Sequence, residues 1–394
     1  MRDVLYLAWR YLAYHRFKTT ILVASITLIV YLPIGLNVLV NQSARQLTAR
    51  AEATPLLVGA KGSPLELVLR SLYFEADVPA DMAYSELRRV RQSGLARAIP
   101  LHSRFRTRHS PIVGTSLEYF EFRRLELASG RYFGMLGECV LGAQAARLAG
   151  VGPGDSVMSA PENVFDIAGV YPLKMRIVGV LQPTGTPDDL AVFVDVKTAW
   201  VIAGLAHGHE DLSQAEAQGG ILRKQDNTIV ANASVMQYNE ITAENASSFH
   251  FHGDPANFPI TSIIAVPKNE KSSTMLQGRY LGAQELVQIL RPASVMDDLL
   301  QTILTVRRYI LLAVGVIAIA TLASMALVFM LSLQLRRREM ETIIKIGGSR
   351  MRIVALVATE VLTVIAAGSV LAILLSLATS WLGTTATRLL VQIS

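Results

Sequence analysis

Residues 19–40 read TTILVASITLIVYLPIGLNVLV, without one formally charged side chain. A helix over this stretch rises about 33 Å, enough for a hydrocarbon core of roughly 30 Å. Two further apolar runs lie near the other end of the chain, at 309–335 and 353–382, the second interrupted only by Glu360 and relaxed by Gly368. Between the first and second runs lies 41–308, polar to mixed throughout. A soluble protein with 51% apolar residues would spread them over all its elements, whereas here they gather in three blocks. The pattern predicts an α-helical transmembrane region of three spans carrying one large inserted α+β extracytoplasmic domain. The first run reads as an anchor rather than a cleavable signal, because a charged leader precedes it and no small-x-small site follows it directly.

Orientation comes from the short flanks. Residues 1–18 carry Arg2, Arg10, Arg16 and Lys18 against Asp3, and 336–352 carry Arg336, Arg337, Arg338, Lys345, Arg350 and Arg352 against Glu339 and Glu341. The positive-inside rule puts both in the cytoplasm, with 41–308 and the tail 383–394 across the membrane. Arg307 and Arg308 fall on the other side, where a long translocated domain largely escapes the rule. The net charge of +6 resides mostly in these flanks, so it reflects topology and contact with the lipid bilayer and calls for no nucleic acid. One cysteine, Cys139, cannot make a disulfide within the chain, so the exported domain must rest on its own core.

Within that domain the hydrophobic period switches between two and 3.6. Strands are expected at 55–58, 111–114, 175–180, 190–196 and 260–266, helices at 63–72, 85–94 and 273–281, and a further element at 117–125. The stretch ECVLGAQAARLAGVGPGDSV (138–157) reads as strand, glycine turn, helix, turn, strand. Residues 206–258 are richer in Asn, Gln, Ser, Glu and His, and suggest an inserted polar subdomain or flap. The expected organisation is therefore an α+β domain of two subdomains.

Taken together, several segments resemble the permease subunits of the ABC transporter group that includes the macrolide exporter, the lipoprotein-release permeases and the cell-division permease. LYLAWRYLAYHRFKTTILVASITLIV is similar to that group's elbow helix and first span. IVGTSLEYFEFRRLELASGRYF, ECVLGAQAARLAGVGPGDSV and MRIVGVLQPTGTPDD resemble its extracytoplasmic core domain, and RRREMETIIKIGGSRMRIVALVATEVL its coupling segment and following span. The resemblance implies a non-catalytic permease of the bacterial inner membrane, paired as a homodimer or pseudo-symmetric dimer. It also implies a separate cytoplasmic ATPase that binds ATP and Mg, and room for a periplasmic partner. Members usually have four spans, whereas GTTATRLLVQIS after Leu382 is too short and polar for another. Either the core has three spans or 353–394 folds as a tight pair.

No G-x-x-x-x-G-K-[ST] loop occurs, so nucleotide chemistry must come from another chain. The coupling segment is the leading site: Glu339–Ile346 can form a helix with Met340, Ile343 and Ile344 on one face and Glu341 paired with Lys345 on another. Gly347, Gly348 and Ser349 then turn the chain, and Arg350 and Arg352 can grip lipid phosphates. The plainer alternative is an ordinary basic turn at the membrane. In the leader, Leu5, Ala8, Trp9, Leu12 and Ala13 form an apolar stripe, and Trp9, Arg10, Arg16 and Lys18 read as membrane anchors. Glu360, the only carboxylate within a span, is a candidate for coupling, or it meets a basic residue such as Arg352. Gly315, Ala320 and Ser324 offer close helix contact. His207 and His209, with His250 and His252, form two H-x-H clusters that could hold Zn²⁺ if the inserted region folds back on itself. These histidines motivate a second reading, a membrane-anchored metal- or ligand-binding receptor without an ATPase.

Overall fold

A computed structural model describes residues 2–75, 79–160, 172–208, 221–225, 228–231, 239–282, 285–345 and 349–393. The chain opens with helices α1 (Arg2–Tyr14) and α2 (Arg16–Glu52). There follow β1 (Leu56–Ala60), α3 (Pro64–Val68), β2 (Met82–Ala83), α4 (Ser85–Gln92), β3 (Ala96–Leu101), β4 (Ile112–Thr115), α5 (Leu117–Arg123), β5 (Leu127–Gly130) and β6 (Glu138–Leu141). Next come α6 (Ala143–Ala149), β7 (Ser156–Met158), β8 (Lys174–Leu181), β9 (Val192–Asp195), α7 (Val196–Ile202), β10 (Ala206–His207), β11 (Ile221–Gln225), β12 (Thr228–Ala231) and β13 (His250–Phe251). The last elements are β14 (Pro259–Ile260), β15 (Ser262–Pro267), α8 (Glu270–Arg279), β16 (Val287–Leu290), α9 (Pro292–Leu335), α10 (Arg337–Lys345) and α11 (Arg350–Ile393). Two compact units result, Thr48–Asp297 and a helical unit made of Met1–Leu47 with Asp298–Ser394.

Thr48–Asp297 is α+β and contains two larger sheets. One is antiparallel in the order β16-β1-β15-β3; the other is mixed, β4-β9-β6-β8-β5, with β7 also on β8. Pro100 can sit in β3 because that strand ends its sheet, where a missing N–H is tolerated; its carbonyl accepts a bond from the Thr115 hydroxyl at 2.8 Å. Helix α4 turns Leu87 and Val90, three apart, into the core and leaves its arginines outward. Each sheet buries its own cluster, and α7 serves both: Val196 and Trp200 belong to the first, Ala199 and Ile202 to the second. The shared helix makes the two sheets parts of one compact unit. The polar stretch 206–258 is tied in by Ala206, Ile241, Phe251 and Phe258, which pack in these cores.

The helix expected at 63–72 is divided: α3 stops at Val68, and a wider π turn, Leu69–Tyr73, ends on Phe74 with φ 59°. Strands β3 and β16 have little alternation of their own and emerge through their pairing with β15 and β1.

In the helical unit, the apolar runs lie inside longer helices. Helix α9 begins at Pro292, well before the apolar run at 309, because 292–308 is helical without being apolar. Helix α11 continues through the polar residues after Leu382 to Ile393. Among the described residues three helices are long and apolar enough to cross a membrane: Arg16–Asn41, Pro292–Leu335 and Met351–Trp381. Leu12 of α1 joins Leu22, Ile26, Met325 and Val364 of these helices in a shared core. A Cβ at Gly368 would collide with Ile26, so glycine permits α2 and α11 to meet there, and Thr27 donates to the Gly368 carbonyl at 3.2 Å. Gly315, Ala320 and Ser324, the small residues expected to allow close packing between two copies, are exposed within this chain.

Candidate functional site

Glu360 is buried in the helical unit and 4% exposed. Its partner is Arg336, whose Nη1 lies 3.1 Å from Oε1 and 3.4 Å from Oε2. Arg352 was the expected neighbour, but eight residues along one helix separate two groups by about 12 Å, whereas an adjacent helix end brings Arg336 into contact. The Arg336 guanidinium also lies over the Tyr11 ring, 3.8 Å from its centroid, and the Tyr11 hydroxyl is 3.1 Å from Ser332 Oγ. Lys18 approaches the same assembly, 5.3 Å from the Phe329 ring and 5.9 Å from that of Tyr11. The ion pair thus ties together α1, the end of α9 and α11, directly before α10. Tyr11 and Ser332 were not legible as site residues; the available signal was that Ser332 and Arg336 are four apart beneath the single acid of a span.

The coupling segment forms α10, which contains Glu339, Met340, Ile343 and Ile344. The side chains of Glu339, Met340, Ile343 and Arg350 lie outside the described residues, as do Gly347 and Gly348 entirely. Ile344 is exposed. Glu341 pairs with Arg337 at 3.3 Å instead of with Lys345, one turn towards the N-terminus rather than the C-terminus. In α1, Ala8 and Leu12 are buried while Leu5, Trp9, Arg10 and Ala13 are exposed, so only part of the stripe packs within the chain. Arg16 is exposed as well, and Lys18 is half-buried.

In Thr48–Asp297 the last turn of α2 delivers Arg50 into a buried ring of polar groups. Arg50 binds Asp188 through both terminal nitrogens, at 2.6 and 2.8 Å, and donates to Tyr119 Oη at 2.8 Å. The Tyr119 hydroxyl donates in turn to Asp188 at 2.7 Å, and Thr186 adds a bond at 3.1 Å. Burial opposes both charges, yet Tyr119 and Asp188 together hold the Arg50 pKa up, and the Arg50 charge holds the Asp188 carboxyl below the usual carboxylate range. The next residue, Asp189, accepts bonds from the Thr184 and Gly185 amides at 2.9 and 2.7 Å and so shapes the loop. A Cβ at Gly142 would collide with the carbonyls of Asp188 and Asp189, which explains the glycine after β6. Glu138 organises the preceding loop, paired with Arg131 and accepting from the amides of Gly134 and Met135 at 2.9 and 3.1 Å. Segments of sequence remote from one another therefore converge where α2 enters this unit. Cys139 is fully buried, and burial pushes its thiol pKa up, so it is a packing residue.

The third cluster lies at the paired strands β10 and β13. His207, His250 and His252 come together, with their nearest ring nitrogens all within 4.8 Å. His209 lies outside the described residues.

Among solved structures, the chain is similar to the periplasmic region of MacB from Actinobacillus actinomycetemcomitans, at 12% identity and a TM-score of 0.35, covering 66% of this chain and 97% of that one. It is also similar to the extracellular domain of the noncanonic ABC-type transporter YknZ from Gram-positive bacteria, at 11% identity and a TM-score of 0.31, covering 60% and 98%. No curated protein matches the chain. The family model for the MacB-like periplasmic core domain matches residues 19–244, more than half of the sequence, and the chain belongs to that family.

Proposed function

We propose that this chain is the permease subunit of an ABC transporter whose ATPase is a separate cytoplasmic protein. The observation that carries this reading is family membership, joined to three helices apolar enough to span a membrane and a large α+β unit between the first and second. Under it, 1–18 and 336–352 face the cytoplasm, the large unit lies outside the inner membrane, and two permeases work as a dimer. A periplasmic partner fits the same scheme. ATP and Mg belong to the partner subunit.

The proposed mechanism is mechanical. Movement of the ATPase pair is received by α10, passed to α9 and α11 through the Arg336–Glu360 pair and its Tyr11–Ser332 support, and delivered to the exported unit along α2 and α9. Arg50, locked to Asp188, would hold the end of α2 in that unit. Export, lipoprotein extraction and mechanical signalling all use such a stroke.

The test is co-purification with a nucleotide-binding subunit from the native host, followed by an ATPase assay on the complex. Met340→Asp and Ile344→Asp should each abolish recruitment or reduce activity at least tenfold. Unchanged recruitment and activity in both variants would sink the proposal. The histidine cluster favours a second reading, a membrane-anchored metal- or ligand-binding receptor. Absence of any ATPase from the purified assembly would transfer weight to it.

A further inference from the structure

Strands β10 and β13 pair antiparallel with Ala206 opposite Phe251 and His207 opposite His250. The pairing extends one residue further, where the His252 amide donates to the Leu205 carbonyl at 2.9 Å. Alternation along a strand then sorts the side chains. Ala206 and Phe251 enter the cores, Phe251 meeting the rings of Trp200 and Phe258 at 6.3 and 6.0 Å between centroids. His207, His250 and His252 share the opposite face, the last two being exposed. The apolar face thus fixes the backbone that carries the imidazoles.

We propose that His207, His250 and His252 form a binding site for a divalent late first-row metal ion, Zn²⁺ in the first instance. His252 Nε2 and His207 Nδ1 lie 3.3 Å apart. Two nitrogens bound to one tetrahedral Zn²⁺ at about 2.0–2.1 Å stand roughly 3.3–3.4 Å from each other, so this pair already has the spacing of one edge of the coordination shell. The ring centroids are 4.6–4.9 Å apart over the three pairs, which leaves each ring able to aim a nitrogen at a common point. His250 Nδ1 is 3.1 Å from the Ser248 carbonyl oxygen. An N–H donated there leaves the lone pair on Nε2, the arrangement by which outer-shell carbonyls orient metal-binding histidines. Imidazole donors without a carboxylate select Zn²⁺, Cu²⁺ or Ni²⁺ over Mg²⁺ or Ca²⁺. Asp254, the nearest acid in sequence to His252, is engaged instead in capping the Ala256 amide at 2.9 Å. Among the described residues three protein ligands converge, which leaves a position for a fourth donor, and the exposure of His250 and His252 permits exchange with the surroundings. Bound metal would also close the chain between His207 and His250, joining two strands that are otherwise a short ribbon.

The experiment uses the full-length chain, purified in detergent without a polyhistidine tag and stripped by chelator, with Zn²⁺ titrated against a chromophoric competitor. One Zn²⁺ per chain is expected, with His207→Ala, His250→Ala and His252→Ala each weakening binding at least tenfold. His109→Ala, which removes an exposed histidine elsewhere, should leave it unchanged. Because His250 and His252 are exposed and His207 is half-buried on the same face, the metal-free variants should melt with the metal-free wild type, separating ligand loss from misfolding. Replacement by Co²⁺ should give the visible absorption of a tetrahedral site, absent in His250→Ala. Failure of the wild type to retain Zn²⁺ against the competitor, or unaltered affinity in His207→Ala/His250→Ala, would overturn the assignment. None of these readouts involves an ATPase, so the metal site and the permease reading stand or fall separately.

Discussion

Each of the two units of this molecule ties a buried carboxylate to an arginine, and the two pairs are built differently. Asp188 receives both terminal nitrogens of Arg50, the Tyr119 hydroxyl and the Thr186 hydroxyl. Glu360 receives a single nitrogen of Arg336, at 3.1 and 3.4 Å, and that guanidinium also lies over the Tyr11 ring. Desolvating two charges is tolerable when geometry is good and the other lone pairs are satisfied. The first pair meets that condition with short, mutually supporting bonds and suits a fixed joint. The second is looser, and under the permease reading it suits a contact that must shift as the helices move.

The largest expected effect comes from breaking the tighter pair. Arg50→Met strands the Asp188 carboxylate and should cost about 3–5 kcal/mol of stability, read from the unfolding midpoint of the full-length protein in detergent. A loss under about 1 kcal/mol would remove the distinction between the pairs. Acid should then expose a weakness confined to the same unit. Burial, then the charges of Arg104 and Arg70, hold the His102 pKa down to about 4. Its unfolded value is about 6.5, so between these limits the unfolded chain binds more protons, and stability falls as pH drops, by about 1.4 kcal/mol per unit. Asp188, whose pKa is depressed in the fold, adds a further loss at lower pH as its folded pKa is crossed. His102→Gln should flatten the midpoint between pH 6.5 and 4, and a wild type already flat there would contradict the assignment.

For the looser pair, a double-mutant cycle over Arg336→Gln and Glu360→Gln should return a coupling of about 1–3 kcal/mol. Under the permease reading, ATPase activity of the assembled complex should fall in each single variant. A coupling larger than that of Arg50 with Asp188 would reverse the ranking proposed above. Tyr119→Phe, which removes one donor from Asp188 and one acceptor from Arg50, should cost about 1–3 kcal/mol. At the small end, Arg337→Ala breaks only an exposed pair with Glu341 and should change stability by about 0.5 kcal/mol or less. A large drop in ATPase activity at unchanged stability would instead mark Arg337 as part of a docking surface.

Much of the architecture is a matter of local pattern. The uncharged run at 19–40 must find a helix and an apolar setting, and the strand–glycine–helix reading of 138–149 appears as β6, Gly142 and α6 because the turn residue and both periods are contiguous. The histidine pairs also carried their alternation in the sequence, since H-x-H on a strand puts both rings on one face. Length and hydropathy could not place the start of α9, because 292–308 becomes helical without an apolar signature.

Which groups meet was decided elsewhere. Arg50 and Asp188 are 138 residues apart, and no spacing rule joins a helix end to a loop after the fifth strand of a mixed sheet. Arg336 reads in sequence as one more cytoplasmic positive charge until packing of α9 and α11 brings Glu360 beside it. His207 and His250 face each other only because β10 and β13 pair in that register. Periodicity is a property of neighbours along the chain and was determined by the sequence directly. Partnership between distant charges and imidazoles depends on strand order, register and helix contact, which arise only when the cores close.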